Sequence, residues 1–320
     1  MQLTYDKVLV TGGAGFIGSH TVDALLREGI EVWILDDLST GSLRNLRAWK
    51  KHQKLHFSRK SVTTFRAVDS VTRNVDAIVH LAAIVSPYVS LTHPEATNEV
   101  NVVGTLNVLK AALKHKVGRV VFASSASLYG NPTETPTAED AHLDPTTPYG
   151  VSKLSAEKYC RSYHKMYDLN TISLRYFNVF GSRQRSNPYS GVIAIFSDLL
   201  RKGAPPTIYG DGNQTRDFVH VSDVTNANIL ALRTLKGAGE AINIGTGDST
   251  SINELARLLA DLTGRQDAKP IYKPARQGDI MHSCADATKA RSLLGFESRV
   301  TLRAGLQDYV LSLGASSRGC

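Results

Sequence analysis

Short apolar runs of about strand length, each followed by a longer segment in which apolar side chains return every three to four positions, recur through the first half of the chain. A strand covered on both faces reads as a nearly continuous apolar run, and a helix flanking a sheet shows the 3.6-residue period. The alternation therefore predicts parallel β/α units. The predicted strands are residues 8–13, 31–36, 54–59, 76–83, 119–125 and 171–178. Residues 17–28 and 95–116 are predicted helices, with Gly29 and Gly118 placed after them as terminators. The fold class is α/β, a doubly wound parallel sheet of Rossmann type.

Past Gly181 the pattern changes. Residues 182–191 are rich in polar and turn-forming types, and later segments mix short strands with helices, which predicts a smaller C-terminal α/β domain. One more apolar run, 241–245, precedes a helix that opens on a capping box, Ser251 with Glu254 three residues on. That run is placed to rejoin the first sheet. The predicted division is 1–180 for the first domain, rejoined by about 218–248, with 181–217 and 249–320 forming the second.

Composition acts mainly by exclusion. A chain of 320 residues with 42% hydrophobic and 21% charged content is ordinary globular protein, not a disordered one. Nothing approaches the apolar run of about 18 residues that a spanning helix needs, and a first strand starting near Lys7 leaves no room for a signal peptide. A cytoplasmic location is expected. Cys160, Cys284 and Cys320 are far apart, odd in number and without ligand spacing, which predicts reduced thiols, no disulfide and no metal site. The net charge of +8 draws anions in general. Apart from a short cluster between Arg44 and Lys60 the basic residues are dispersed and no nucleic-acid motif accompanies them, so solvated surface lysines are the expected reading of the charge, with no nucleic acid and no membrane as partners.

The first candidate chemistry is Thr11-Gly12-Gly13-Ala14-Gly15-Phe16-Ile17-Gly18, which follows the first strand and opens the first helix. That is the setting a dinucleotide fingerprint requires, with Gly12, Gly15 and Gly18 serving a tight turn, close approach to a pyrophosphate and close helix packing. The phosphates would meet free N–H groups at the helix start. Asp36 lies 18 residues past Gly18, near the spacing at which a carboxylate binds the adenosine ribose and repels a 2′-phosphate, so the expected cofactor is NAD. The alternative is that Asp36 or Asp37 caps the following loop.

The second is Tyr149 and Lys153, four apart behind Pro148, which puts both on one face at the start of a helix. A phenol is a poor base at neutral pH, and an ammonium within about 6 Å is expected to favour its ionised form. Ser124 and Ser125 end a strand on the ligand side of the sheet, where a hydroxyl can bridge a substrate and Tyr149 or be satisfied by local backbone.

Taken together, TGGAGFIG at 11–18, HLAA at 80–83, FASSASLYG at 122–130, PYGVSK at 148–153, LRYFNVFG at 174–181 and TRDFVHVSD at 215–223 resemble the extended short-chain dehydrogenase/reductase family, in particular its UDP-galactose 4-epimerase-like group. The resemblance runs almost end to end. It implies an NAD-binding first domain and a nucleotide-sugar-binding second one. It also implies that Tyr149 takes the proton of the sugar 4-hydroxyl, that Lys153 holds the nicotinamide ribose, and that Ser125 bonds the reacting oxygen. By the same likeness Gly12, Gly15, Phe16, Ile17, Gly18, Asp36, Ser61, Val62, Leu81, Ala82, Ala83, Asn101, Ser124 and Tyr176 join Tyr149 and Lys153 around the cofactor. Ser86, Ser127, Asn178, Val192, Tyr209, Arg216, Arg276, Asp279 and Ser283 fall on the sugar-nucleotide side with Ser125 and Tyr149. There Arg216 and Arg276 hold the diphosphate, Tyr209 stacks on the base, and Asp217 and Asp279 orient the arginines or bind ribose. Read without the likeness, the two arginines are equally ordinary surface residues.

Departures from the family pattern also inform. Ala126 and Ser127 stand where dehydratases and decarboxylases of the family carry an acid, which argues against elimination chemistry. Ser61 replaces an adenine-contacting Asp of many relatives, and Val85 replaces a lysine of some epimerases. Ser283 is small at a position that limits pocket size, implying room for an N-acetyl group. The expected activity is NAD-dependent inversion at C4 of a UDP-hexose. A UDP-glucuronate 4-epimerase or 4-keto-sugar reductase on the same scaffold is the enzymatic alternative, and an NAD-binding redox sensor the non-enzymatic one. The family habit of pairing through two helices makes 95–116 and 152–165 the expected homodimer face.

Overall fold

The computed structural model describes residues 5–184, 191–276 and 278–316. Part of the polar segment expected at 182–191, and Cys320, lie outside the described residues. Seven strands form the main sheet: β1 (Lys7–Thr11), β2 (Glu31–Leu35), β3 (Leu55–Ser58), β4 (Ala77–His80), β5 (Arg119–Ser125), β6 (Thr171–Tyr176) and β7 (Ala241–Ile244). Their order is β7-β6-β5-β4-β1-β2-β3, and every pairing is parallel. The run at 241–245 thus adds an edge strand beside β6, with Ala241 opposite Ser173.

Alternation along each strand divides the core. Val8, Val10, Val32, Ile34 and Val79 bury one face against Val22, Leu25 and Leu26 of α1 (Phe16–Arg27) and the helix Val221–Arg233. Leu9, Ile78, Val120 and Phe122 bury the other against helices Phe65–Thr72, Gly104–Lys114 and Pro148–Tyr167. Each fully buried side chain of this size contributes roughly 1.5–3 kcal/mol. A separate apolar cluster built on Phe180, Phe196, Phe218, Leu255, Leu259 and Tyr309 holds the second half. Its helix Ile252–Leu262 begins as the capping box predicts, with the Glu254 amide donating to Ser251 Oγ at 3.1 Å.

Three expected elements differ. Strand 76–83 ends at His80, because the Leu81 and Ala82 amides turn away to donate to Thr11 Oγ1. Strand 171–178 breaks at Phe177, and Asn178–Phe180 pairs instead with Phe218–His220. The helix expected at 95–116 is interrupted: Pro94–Asn98 gives way to a π-helical turn, Glu99–Val103, before Gly104–Lys114. The wide turn carries Asn101, whose amide group both donates to Ile84 O (3.0 Å) and accepts from Ile84 N (2.8 Å). Hydrophobic period reads i+3 and i+4 alike, so a single widened turn leaves no trace in it.

Candidate active site

β1 lies between β2 and β4, so the strand order reverses at its carboxyl end, which is where open α/β sheets take ligands. The glycine turn sits there. Gly12 has φ +68° and passes so close to the next loop that a Cβ would lie 2.9 Å from the Ala82 amide nitrogen. A Cβ on Gly18 would collide with the Gly12 carbonyl. Phe16 and Ile17 open α1 with no side-chain cap on it, leaving its first N–H groups for an anion.

Asp36, 7% exposed, accepts from the Ala14 amide (2.9 Å) and the Leu38 amide (2.8 Å). It therefore ties the glycine turn to the loop after β2; burial pushes its carboxyl up, opposed by these two bonds. The Leu38 bond is a cap of the loop after β2. Ser61 Oγ accepts from the Thr63 amide and hydroxyl, and Val62 is buried against Gly104. Leu81, Ala82 and Ala83 form the loop facing the glycine turn.

The reacting residues converge from two elements. Thr147 caps the helix Pro148–Tyr167 by accepting from the Gly150 amide, with Pro148 in the first turn. Tyr149 and Lys153 follow one turn apart and both are buried. Ser125 ends β5, and its Oγ accepts from the Ser127 amide (3.2 Å) and hydroxyl (2.9 Å). Ser125 also lies beside Tyr149 and acts to lower its phenol. The Lys153 ammonium rests 4.7 Å from the centre of the Phe122 ring.

Electrostatics here depart from the expectation that Lys153 depresses the phenol. Burial dominates and holds Tyr149 above its usual range, with the Ser125 hydrogen bond acting downward. The same burial pushes Lys153 down to about 8, opposed by Cys160 and Glu157. Desolvation penalises whichever form is charged, so it moves an acid and a base in opposite directions at one site.

Other expected residues are turned elsewhere. Ser124 Oγ donates to Glu157 Oε2 at 2.6 Å, and the Tyr176 hydroxyl donates to Asn228 Oδ1 at 2.6 Å, both in the core. Asn101, beside its bonds to Ile84, donates to Ser152 Oγ, which in turn donates to Tyr149 O. It links the Ile84 loop to the reacting helix. Ser86 caps the short helix Pro87–Thr92, and Val85 is exposed.

In the second half, Arg216 and Ser283 stand opposite each other on paired strands. Arg216 Nη2 donates to Asp279 Oδ1 at 2.8 Å, so Asp279 orients this arginine. The Arg276 guanidinium lies 3.8 Å from the centre of the Tyr209 ring, and its hydrogen bond and charge hold that phenol below its usual range. Asn178 Nδ2 donates to Asp217 O, and Val192 begins the helix Val192–Arg201. Asp217 gathers the amides of Thr246, Gly247 and Ala285 in a buried knot. Two links join this half to the turn after Ser125: the Met281 amide donates to Asn131 Oδ1, and Thr137 bridges to Ala285.

Two groups escaped sequence reasoning. His80 accepts from Thr11 Oγ1 at Nδ1 (2.6 Å) and donates from Nε2 to Thr105 Oγ1 (3.0 Å), whose own proton goes to Asn101 O. Burial first, then Lys153, pushes His80 down to about 3, so it is neutral. Glu157 continues the spacing of Tyr149 and Lys153 by one more turn, and that repeat was its signal. Among the described residues no group of three His, Cys, Asp or Glu side chains is placed to hold a metal ion, and no helix is long and apolar enough to cross a membrane. Cys160 and Cys284 are free and buried.

A seven-stranded Rossmann sheet with a buried tyrosine and lysine one turn apart beside its ligand crevice defines a dinucleotide-dependent enzyme of the tyrosine–lysine type. The model of the NAD dependent epimerase/dehydratase family matches residues 8–245. The chain belongs to that family. It is 39% identical over 306 residues to a UDP-glucose 4-epimerase of Mycolicibacterium smegmatis, covering 95% of this chain and 97% of the relative. Among solved structures it is similar to UDP-glucose 4-epimerase with UDP-glucose from Thermotoga maritima, at 37% identity and a TM-score of 0.92, covering 97% of this chain and 99% of the other. It is likewise similar to a Thermus thermophilus UDP-glucose 4-epimerase complex with NAD, at 36% identity and TM-score 0.87, covering 98% and 99%.

Proposed function

We propose that the protein inverts C4 of a UDP-hexose, interconverting UDP-glucose and UDP-galactose and accepting their N-acetylated forms. The observation that carries this reading is the Ser125–Tyr149–Lys153 cluster at the ligand end of the sheet, in a chain of this family. The glycine cradle, the uncapped start of α1 and buried Asp36 fit NAD, which when bound would supply the hydride acceptor and a positive charge. Ser125 orients the Tyr149 oxygen, Tyr149 takes the proton of the sugar 4-hydroxyl and later returns it, and Lys153 holds ribose. Ala126 and Ser127 carry no acid, which removes the group elimination or decarboxylation would need beside the sugar.

The 1–180 segment with 218–248 would bind the cofactor, and 181–217 with 249–320 the sugar nucleotide. There Arg216 and Arg276 take the diphosphate, Tyr209 the base, and Ser283 leaves space at C2. We place the enzyme in the cytoplasm as a homodimer, on a face that includes Val151, Tyr159, Tyr88 and Leu91, large apolar side chains that are 41–62% exposed. The deciding test is incubation with UDP-galactose and no added reductant, read by chromatography. UDP-glucose is the expected product; unchanged substrate across UDP-galactose, UDP-glucose and UDP-N-acetylglucosamine overturns the reading.

A further inference from the structure

Tyr149, Lys153 and Glu157 form a stripe at i, i+4 and i+8 on the buried face of their helix. Glu157, 5% exposed, meets three donors: Ser124 Oγ (2.6 Å), Arg175 Nε (3.0 Å) and Arg175 Nη2 (2.7 Å). Arg175 is held in turn by the Tyr129 hydroxyl (2.7 Å) and Glu139 O (2.9 Å). One carboxylate therefore joins the lysine helix, the strand that ends in Ser125, and β6.

We propose that Glu157 is a positioning residue for the reaction: fastened by Arg175 and Ser124 one helical turn beyond Lys153, its carboxylate keeps the Lys153 ammonium charged within the core and holds the end of β5 against the helix. The inference rests on the epimerase reading of Tyr149 and Lys153. Burying an ammonium is costly without a counter-charge. The titratable groups around Lys153 are Tyr149, Glu157 and Cys160 on its own helix, His80 at the end of β4, and Arg175 on β6. Tyr149 and the Cys160 thiol are pushed up by burial, and His80 is pushed down, so all three are neutral near pH 7. Arg175 adds a second positive charge; burial works against it, and Glu157 more than offsets that burial. Glu157 is left as the anion that supports Lys153. An isolated ion pair would serve stability alone, and a hydrophobic pair of similar volume commonly does that as well or better. The register with Lys153, and the bond to the neighbour of Ser125, are what a purely structural pair would not need.

The test measures Glu157→Gln, Glu157→Asp and, because Gln alone leaves Arg175 buried without its partner, the double variant Glu157→Gln/Arg175→Met. The first readout is the pH profile of kcat for UDP-galactose. Loss of the carboxylate is expected to move the alkaline limb down by about one pH unit, and Glu157→Asp, which keeps the charge, is expected to restore it near the wild-type position. A profile that overlays wild type in both variants lacking the carboxylate overturns the inference while leaving the epimerase reading intact. The second readout needs neither cofactor nor substrate. The pH interval over which Lys153 releases its proton is the interval in which urea stability diverges between the full chain and its Lys153→Met counterpart. That interval is expected to lie at lower pH in the Glu157→Gln/Arg175→Met background than in Arg175→Met alone; an interval that does not differ between those two backgrounds overturns the role of Glu157 whether or not the protein epimerises UDP-sugars.

Discussion

Replacing Lys153 by Met removes one buried proton-binding site while keeping an unbranched side chain of similar length, and the consequence for stability is set by pH. Burial takes Lys153 from its ordinary 10.5 down to about 8. Below pH 8 the lysine is charged in both folded and unfolded chains, and the fold carries the full penalty of the desolvated ammonium. Between about 8 and 10.5 the unfolded chain retains a proton that the folded one has released, so folding stability rises with pH. At about 1.36 kcal/mol per pH decade the gain amounts to roughly 3 kcal/mol across the interval, with nothing further above 10.5. Lys153→Met has no proton to release there, so wild type is expected to gain roughly 3 kcal/mol relative to the variant from pH 7.5 to 10.5. Urea unfolding followed by tryptophan fluorescence reads this directly, since the two tryptophans, Trp33 on β2 and Trp49 in the turn after it, both report the Rossmann half. Tyrosines and lysines remote from Lys153 titrate equally in both proteins and cancel in the difference. Parallel stability curves over this range would mean that the ammonium is not desolvated, and the electrostatic account of the site would fail with it.

Three further outcomes are expected. Tyr149→Phe retains the fold and NAD affinity but loses turnover by about 10²- to 10⁴-fold, measured by chromatography of UDP-galactose reactions; near wild-type kcat would remove the phenol from the reaction. Gly18→Ala places a methyl group against the Gly12 carbonyl, a backbone atom that cannot swing aside. A penalty of about 1–3 kcal/mol is expected, seen as a lower thermal midpoint and weaker NAD binding in calorimetry, and unaltered values would show that the turn does not need that glycine. Arg216→Ala removes the guanidinium held by Asp279, and about a 10- to 100-fold rise in KM for the UDP-sugar, with kcat less affected, is expected from steady-state kinetics. An unchanged KM would place the diphosphate elsewhere.

The parallel sheet was legible because strands covered on both faces leave no polar alternation to confuse them: residues 119–125 appear as β5 without adjustment. Element ends were less so. His80 closes β4 because Thr11 draws the next two amides, contacts 70 and 71 residues away in sequence that no local pattern contains. The π-turn at Asn101 has the same origin, since its cause is the distant Ile84 backbone. In the site, Tyr149 and Lys153 were found by spacing, yet the direction of the Tyr149 shift was not. Spacing gives proximity to a charge, whereas the dominant influence is loss of water, which depends on Phe122, β5 and the whole helix packing. Ser124 and Ser125 illustrate the converse. Both meet the buried face of the same helix, Ser124 in the core at Glu157 and Ser125, at the strand's end, beside Tyr149 two turns earlier, and neighbouring identical residues in sequence carry no sign of that division.

The opposite displacements of Tyr149 and Lys153 bear on how the pair works. A neutral phenol with a raised pKa is a poor base, and a lysine at about 8 is still mostly charged near pH 7. The pair therefore rests as phenol and ammonium, and proton removal from a sugar hydroxyl requires further positive charge beside Tyr149. Beyond Lys153, the described residues around it supply none: Ser125 is uncharged, His80 is neutral, and Arg175 is engaged by Glu157. NAD, held by the glycine turn, would supply that charge when bound, and without it the buried phenol is a weak proton acceptor. It follows that the acid limb of the pH profile belongs to the loaded site, and that Tyr149 in the free protein should titrate well above it. Ultraviolet difference titration of wild type against Tyr149→Phe, with and without NAD, measures both; a phenolate forming near neutrality in the free protein would contradict the argument.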